Sequence, residues 1–148
     1  LVEADHGATW VDFDGDGDQD LALTGTAEGA THALMQNLLR PEVAFHSLKV
    51  RVLDAQGRAT LAGAEVRVYA AGTFELLGTG LVDTGSGYDA QSDLPLHFGL
   101  PGAQPVDVEV TLVGRGRRIP TRAAGVDPAA YRGRVLSVRF DLDGNVVR

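Results

Sequence analysis

From His46 onward, apolar and polar residues alternate with a period of two in four stretches of the chain. Such alternation is typical of β-strands that have one buried face and one face in water. It covers residues 48–52, 65–69, 106–112 and 136–142. Glycine-bearing turns follow these stretches, at 54–57, 71–72, 114–116 and 143–145. The pattern predicts an all-β fold, with an antiparallel β-sandwich over residues 46–148.

The first 45 residues have a different organisation. Two short apolar stretches, 8–11 and 21–24, flank an acidic segment and predict a β-hairpin over residues 1–45. Residues 31–39 are ambiguous, because their apolar positions suit a helix whereas a short strand ending at Asn37 would suit the hairpin. Pro41 marks the boundary between the two regions.

One helical turn is predicted in the sandwich region. Asp127 is its N-cap, Pro128 occupies the first helical position and Gly133 ends it.

The acidic segment carries aspartate at every second position from 12 to 20: Asp12, Asp14, Asp16, Asp18 and Asp20. Two like charges about 5 Å apart repel by roughly 1–3 kcal/mol, so a compact loop of five carboxylates requires a cation. Gly15 and Gly17 allow the backbone to wrap around one point. Hard oxygen ligands without cysteine or histidine nearby predict Ca²⁺.

The spacing agrees in part with an EF-hand calcium loop. Counted from Asp12, aspartates occupy positions 1, 3, 5, 7 and 9, with Gly17 at position 6 and Asp18 contributing its carbonyl. Position 12 is Leu23 rather than glutamate, and the flanks are strands rather than helices. We therefore interpret the segment as a calcium loop within a β-hairpin. The alternative is an acidic turn that binds no metal.

Composition excludes several classes of function. The net charge is −7 and the loop supplies five of those charges, which argues against binding nucleic acid or anionic membranes. The chain has no cysteine and no apolar run long enough to insert into a bilayer. It starts at Leu1 without an initiating methionine, and we interpret it as part of a larger protein.

Residues 6–23 resemble an FG-GAP (VCBS-type) repeat, with the aspartate-rich part carrying the resemblance. Such repeats form blades of calcium-loaded β-propellers. Because propellers need about four to eight blades, either further blades lie upstream in the parent chain or the single unit folds against the sandwich.

Residues 46–113 resemble the ASPIC/UnbV domain, which follows FG-GAP repeats in cartilage acidic protein and in bacterial secreted proteins. The blocks that carry this resemblance are 48–50, 63–69, 85–92 and 96–100. The family's usual tryptophan-proline turn is replaced here by residues 112–115. Together the resemblances imply a secreted or cell-surface binding module of adhesion type, extracellular or periplasmic, with structural calcium, a protein or glycan partner and no enzymatic activity.

Three alternatives concern other residues. A groove near Tyr88 and His97 could make the chain a glycan-binding domain or a carbohydrate-active enzyme. The arginines between Arg115 and Arg134 could bind an anion, or could simply cover apolar neighbours on the solvent-exposed faces of strands. Residues Asp141 to Asn145 could begin a second metal site, or form an ordinary hairpin turn.

Overall fold

A computed structural model describes residues 5–25, 32–85, 87, 90–92, 95–114, 117–141 and 145–147. Strands dominate these residues, and the helices are single turns. The elements are β1 (Asp5–Val11), β2 (Asp20–Gly25), β3 (Ala33–Met35), α1 (Pro41–Ala44), β4 (Ser47–Asp54), β5 (Glu65–Ala70), β6 (Leu76–Leu81), β7 (Leu96–Gly99), β8 (Val106–Gly114), β9 (Arg117–Val126), a 3-10 helix (Pro128–Tyr131), β10 (Val135–Phe140) and β11 (Val146–Val147).

The strands form three sheets. The hairpin region builds a small antiparallel sheet in the order β1-β2-β3. The rest builds two four-stranded sheets, β11-β10-β4-β7 and β6-β5-β8-β9. The predicted all-β class is therefore confirmed.

The hydrophobic core lies between the two four-stranded sheets. It is built by the apolar positions of the alternating stretches, which point to one face of each strand. Its members include Leu48, Val50, Val52, Val66, Val68, Val106, Val108, Val110, Phe98 and Phe140. Gly78 and Gly80 of β6 allow close packing across the core, since a Cβ atom at Gly78 would lie 3.1 Å from the ring of Phe98.

One strand pair departs from the antiparallel arrangement. β4 and β10 run parallel, with Val50 opposite Leu136 and Val52 opposite Val138. The two strands are far apart in sequence, and the chain crosses to the other sheet between them. This long connection allows parallel pairing, which a short hairpin turn would not. Alternating patterns identify strands and faces but carry no information about the direction of pairing.

The predicted helical turn at residue 128 is confirmed, as a 3-10 helix. The carboxylate of Asp127 accepts a hydrogen bond from the Ala129 N–H at 2.9 Å, as an N-cap does. The ambiguous segment before Pro41 contains the strand β3. The helix α1, which begins at Pro41, was missed because four residues show no periodicity.

Two buried aspartates stabilise turns of the sandwich. Asp107 accepts hydrogen bonds from the N–H groups of Gly125 at 2.7 Å and Gly72 at 3.0 Å, and pairs with Arg122 at 2.9 Å. These bonds lower the pKa of Asp107. Asp107 therefore ties the turn after β5 to the middle of β9.

Asp54 closes the turn after β4. Its carboxylate accepts hydrogen bonds from the N–H groups of Arg58 and Gln56, the Arg58 guanidinium and the Thr60 hydroxyl, at 2.8–3.0 Å. The backbone bond from Arg58 is the main cause that lowers the pKa of Asp54 to about 2, from an ordinary value of 3.8.

This lowered pKa predicts an acid-dependent loss of stability. Because the folded-state pKa is below the unfolded value, Asp54 contributes fully above about pH 4, and that contribution disappears as the pH falls to about 2. Urea unfolding of wild type and Asp54→Asn should give free energies that differ most near neutral pH and converge near pH 2. Glu75→Gln, which removes an exposed carboxylate, should have little effect at any pH. A constant difference between wild type and Asp54→Asn would contradict the assignment.

Candidate metal centre

The acidic loop connects β1 to β2. The two strands pair up to Val11 opposite Asp20, so residues 12–19 form the connection. Gly15 and Gly17 both have positive φ, 76° and 103°, as predicted for a backbone that wraps tightly. The hairpin thus brings the first and the last of the five aspartates together at its turn end, where the loop joins the two strands.

Three of the four predicted carboxylate ligands converge. Asp12, Asp14 and Asp20 each offer an oxygen, and these oxygens all lie within 4.8 Å of one another. Asp20 is 1% exposed and Asp14 is exposed, so the group extends from the protein interior to solvent. Carboxylate oxygens at this spacing are suitable ligands for a divalent cation with hard oxygen ligands.

Asp12 shows which of its oxygens would face an ion. Its Oδ2 accepts a hydrogen bond from the Gly17 N–H at 3.2 Å and contacts Lys49 Nζ at 2.5 Å. Its Oδ1 is buried and has no hydrogen-bond partner. Buried carboxylate oxygens are rarely left without a partner, and a cation among the three aspartates would supply one.

Asp16 and Asp18 lie outside this group of three. Asp16 uses its Oδ1 to accept the Asp18 N–H at 3.1 Å, a local turn contact. The side chain of Asp18 is buried and accepts the Leu39 N–H at 3.1 Å. Burial raises the pKa of Asp18 against the effect of that hydrogen bond, and the other carboxylates of the loop raise it further. Its other carboxylate oxygen, Oδ1, is buried and has no hydrogen-bond partner. That Asp18 would bind an ion through its carbonyl stays a prediction of the loop spacing.

The segment after β3 wraps around the loop, which sequence reasoning did not foresee. The Gln36 side chain donates to Asp14 at 2.6 Å, and the Asn37 N–H donates to Asp20 at 2.8 Å. With the contact from Leu39 to Asp18, three residues of this segment bond to loop carboxylates. The only signal in the sequence was the predicted end of a short strand at Asn37, whereas β3 ends at Met35.

The loop also contacts the sandwich directly. Lys49 lies on β4, and its ammonium group, with 19% of the side chain exposed, pairs with the Asp12 carboxylate, which is 2% exposed. Gly17 packs so closely on α1 that a Cβ atom there would lie 2.9 Å from the Ala44 carbonyl oxygen. Lys49 is the only lysine of the chain, yet its sequence position gave no indication that it would meet Asp12.

The strand before the loop makes two more contacts with the sandwich region. The Thr9 hydroxyl donates to the backbone carbonyl of Gln91, and the backbone N–H of Trp10 donates to the Ser92 hydroxyl at 3.4 Å. The hairpin is therefore attached to the sandwich region both through β1 and through the loop.

The arginines between Arg115 and Arg134 include several with structural partners. Arg118 pairs with Glu65, and Arg122 pairs with Asp107 while lying 4.9 Å from the centre of the Tyr69 ring. Arg132 lies 5.0 Å from the centre of the Phe45 ring. These contacts favour the interpretation that arginine side chains cover their strand neighbours. Arg115 lies outside the described residues.

The other predicted sites are only partly described. Tyr88 lies outside the described residues, whereas His97 lies on β7, half-buried and opposite Lys49. The Asp141 carboxylate accepts hydrogen bonds from the backbone and side-chain nitrogens of Asn145 at 2.8 and 2.9 Å. This contact favours the hairpin turn between β10 and β11, although Asp143 lies outside the described residues.

Comparison with known families bears on the sandwich. Residues 55–113 match the ASPIC and UnbV family. The ASPIC/UnbV segment contains β5, β6 and β7 and nearly all of β8, whereas β4, β9, β10 and β11 lie outside it. The match does not include residues 6–23, so the resemblance of the acidic hairpin to an FG-GAP repeat stays a prediction.

No curated protein matches the chain, and no solved structure matches it. Among the described residues, no helix combines the length and the apolar character that crossing a membrane requires.

The two loop glycines give a test of how the loop is seated. Gly17→Ala should lower the free energy of unfolding more than Gly15→Ala, because only the Cβ at position 17 meets a backbone oxygen. Both variants carry the cost of a positive φ, about 1 kcal/mol, so Gly15→Ala is the matched control. Urea unfolding measures the difference. Equal losses would show that the close contact between the loop and α1 does not form.

Proposed function

We propose that this chain is a calcium-binding module of an extracellular protein, in which the ion has a structural role and the sandwich serves binding or adhesion. The observation that carries the proposal is the buried, unpartnered Oδ1 of Asp12 beside the carboxylates of Asp14 and Asp20. Together with the loop spacing, it supports a cation in the loop at the turn end of the hairpin.

The donor set fits calcium better than other metals. It consists of oxygen atoms, and among the described residues the group includes no histidine. Calcium accepts six to eight oxygen ligands in flexible geometry. Asp12, Asp14 and Asp20 would supply carboxylate oxygens and Asp18 its carbonyl, with Asp16 or water completing the shell. The ion would offset two of the five negative charges of the loop and hold the hairpin closed.

The proposed location is extracellular for reasons of affinity and chemistry. The loop lacks the bidentate glutamate of an EF-hand, because position 12 is Leu23. A weaker site needs the high calcium concentrations in which extracellular modules work, with dissociation constants of about 0.1–1 mM. The chain also has no cysteine, so an ion would provide stability that disulfides provide in other secreted domains. The match of residues 55–113 to the ASPIC and UnbV family supports an extracellular location only through the resemblance to domains of secreted proteins.

Calcium should stabilise the fold measurably. For a dissociation constant near 0.1 mM, 10 mM calcium would add about 2.7 kcal/mol to the free energy of unfolding, or about 5–10 °C to the Tm. Thermal melts in 10 mM calcium and in EDTA measure the difference. Asp14→Asn should remove most of the calcium-dependent rise in Tm, because it takes one carboxylate from the proposed ligands. Asp14 is exposed, so its replacement leaves no buried charge unpaired.

Glu42→Gln is the matched control, because it removes one exposed carboxylate on α1 and should keep the calcium response. Identical wild-type melting curves in calcium and EDTA would refute the structural role of calcium.

Asp16→Ala distinguishes two ligand sets. If all the aspartates of the loop act as in an EF-hand, this variant should lose the calcium-dependent rise in Tm, as Asp14→Asn does. If only the three converging carboxylates bind the ion, it should keep most of that rise. Calorimetric titration of calcium into the two variants measures both affinities under the same conditions. We expect the loss, since calcium needs more oxygens than three side chains provide.

A further inference from the structure

A cavity of about 420 Å³ lies where the acidic hairpin meets the sandwich. Its walls come from β1, the loop, the segment after β3, α1 and the start of β4, and from β7. The volume is within the range of small-molecule sites, and sites of this kind often form where two structural units meet. We propose that this junction cavity binds a neutral pyranose sugar.

An aromatic side chain supplies the first element of such a site. Trp10 lies on the cavity wall and is 50% exposed. Its backbone is part of β1, and its backbone N–H donates to the Ser92 hydroxyl. The indole is thus held by a strand but is not covered by the core. A flat aromatic face is a suitable platform for the C–H face of a pyranose ring, which is apolar.

Neutral polar side chains supply the second element. Residues with amide, imidazole or hydroxyl groups line the same cavity and are exposed or half-buried: Gln19, Asn37, His46, Ser47 and His97. Such groups can donate and accept hydrogen bonds, as sugar hydroxyls require. Asn37 and Ser47 are anchored in place by bonds to the carbonyls of Gln19 and Ala44. Anchored side chains lose less freedom when a ligand binds.

Charge disfavours an anionic ligand. The lining includes Asp18, and none of its described residues is lysine or arginine, so no permanently charged cation there would pair with a phosphate, sulfate or carboxylate. The five aspartates of the adjacent loop would repel such anions. The wall also has an apolar part, chiefly Leu39, Val43 and Leu100, which would meet the C–H groups of a sugar ring. An apolar face combined with several hydroxyl groups fits this lining best.

Trp10 is the only tryptophan of the chain, so its fluorescence reports directly on the cavity. We would titrate the protein, in 10 mM calcium, with glucose, galactose, mannose and N-acetylglucosamine, and with glucuronate as the anionic comparison. At least one neutral sugar should shift the emission with a Kd of about 1 mM, typical of so small a ligand. Glucuronate should bind at least tenfold more weakly than that neutral sugar.

Variants are compared by saturation-transfer NMR, which does not need the indole. Trp10→Ala should weaken binding about tenfold, the scale seen when a stacked ring loses its aromatic partner, whereas Trp10→Phe should keep most of the affinity. Gln19→Ala should weaken binding about threefold and is the second test if Trp10→Ala does not fold. Phe74→Ala is the matched control, since Phe74 is 89% exposed and lies away from the cavity.

The proposal is overturned if no neutral sugar binds at concentrations up to about 50 mM, roughly fifty times the expected Kd. It is also overturned if glucuronate binds as tightly as the neutral sugars, or if Phe74→Ala weakens binding as much as Trp10→Ala. Thermal melts of the same samples in calcium and EDTA test the metal separately, so either proposal can fail without the other.

Discussion

The ion pair between Asp12 and Lys49 is the contact on which the arrangement of hairpin and sandwich depends. A loop with five aspartates can stay compact only if positive charge and hydrogen-bond donors reach it from elsewhere. Lys49 brings the charge from β4 at 2.5 Å, and the segment after β3 brings donors to the other carboxylates. Breaking such a buried pair leaves an uncompensated charge, so the pair ties the two regions together strongly.

The proposed calcium ion would act on this same contact. Lys49 and Gly17 occupy one oxygen of Asp12 and leave the other for the ion. The ion would therefore stabilise the hairpin and the junction at once, because both depend on one carboxylate. The junction cavity is bordered by the loop residues 17–19, so a closed loop also shapes the wall that the proposed sugar would meet. The proposed metal site and the proposed sugar site therefore adjoin the same loop, although different atoms support each proposal.

The sandwich contributes rigidity through β4. Alternate residues of this strand, Leu48, Val50 and Val52, enter the core, while Lys49 points to the opposite face and reaches the loop. β4 is also central in its sheet, between β10 and β7. Elsewhere, buried aspartates hold the turns by accepting backbone N–H groups, as Asp54 and Asp107 do. Aspartate thus has two roles in this chain, closing turns within the sandwich and crowding together in the hairpin.

The sequence by itself determined several local features: the strand character and apolar faces of the alternating stretches, the helical turn at Asp127 and the tight acidic loop with its two glycines. These follow from periodicity and from backbone preferences that act over a few residues. The sequence did not indicate β6, β7 or β9. Only the tertiary structure decided that β4 runs parallel to β10 and that Lys49 meets Asp12. It likewise decided that Asp12, Asp14 and Asp20 converge, whereas Asp16 bonds within the loop and Asp18 bonds to the Leu39 N–H. It also decided that Trp10 lines a cavity with residues from β4 and β7. Such contacts join distant parts of the chain, and the pattern of neighbouring residues carries no information about them.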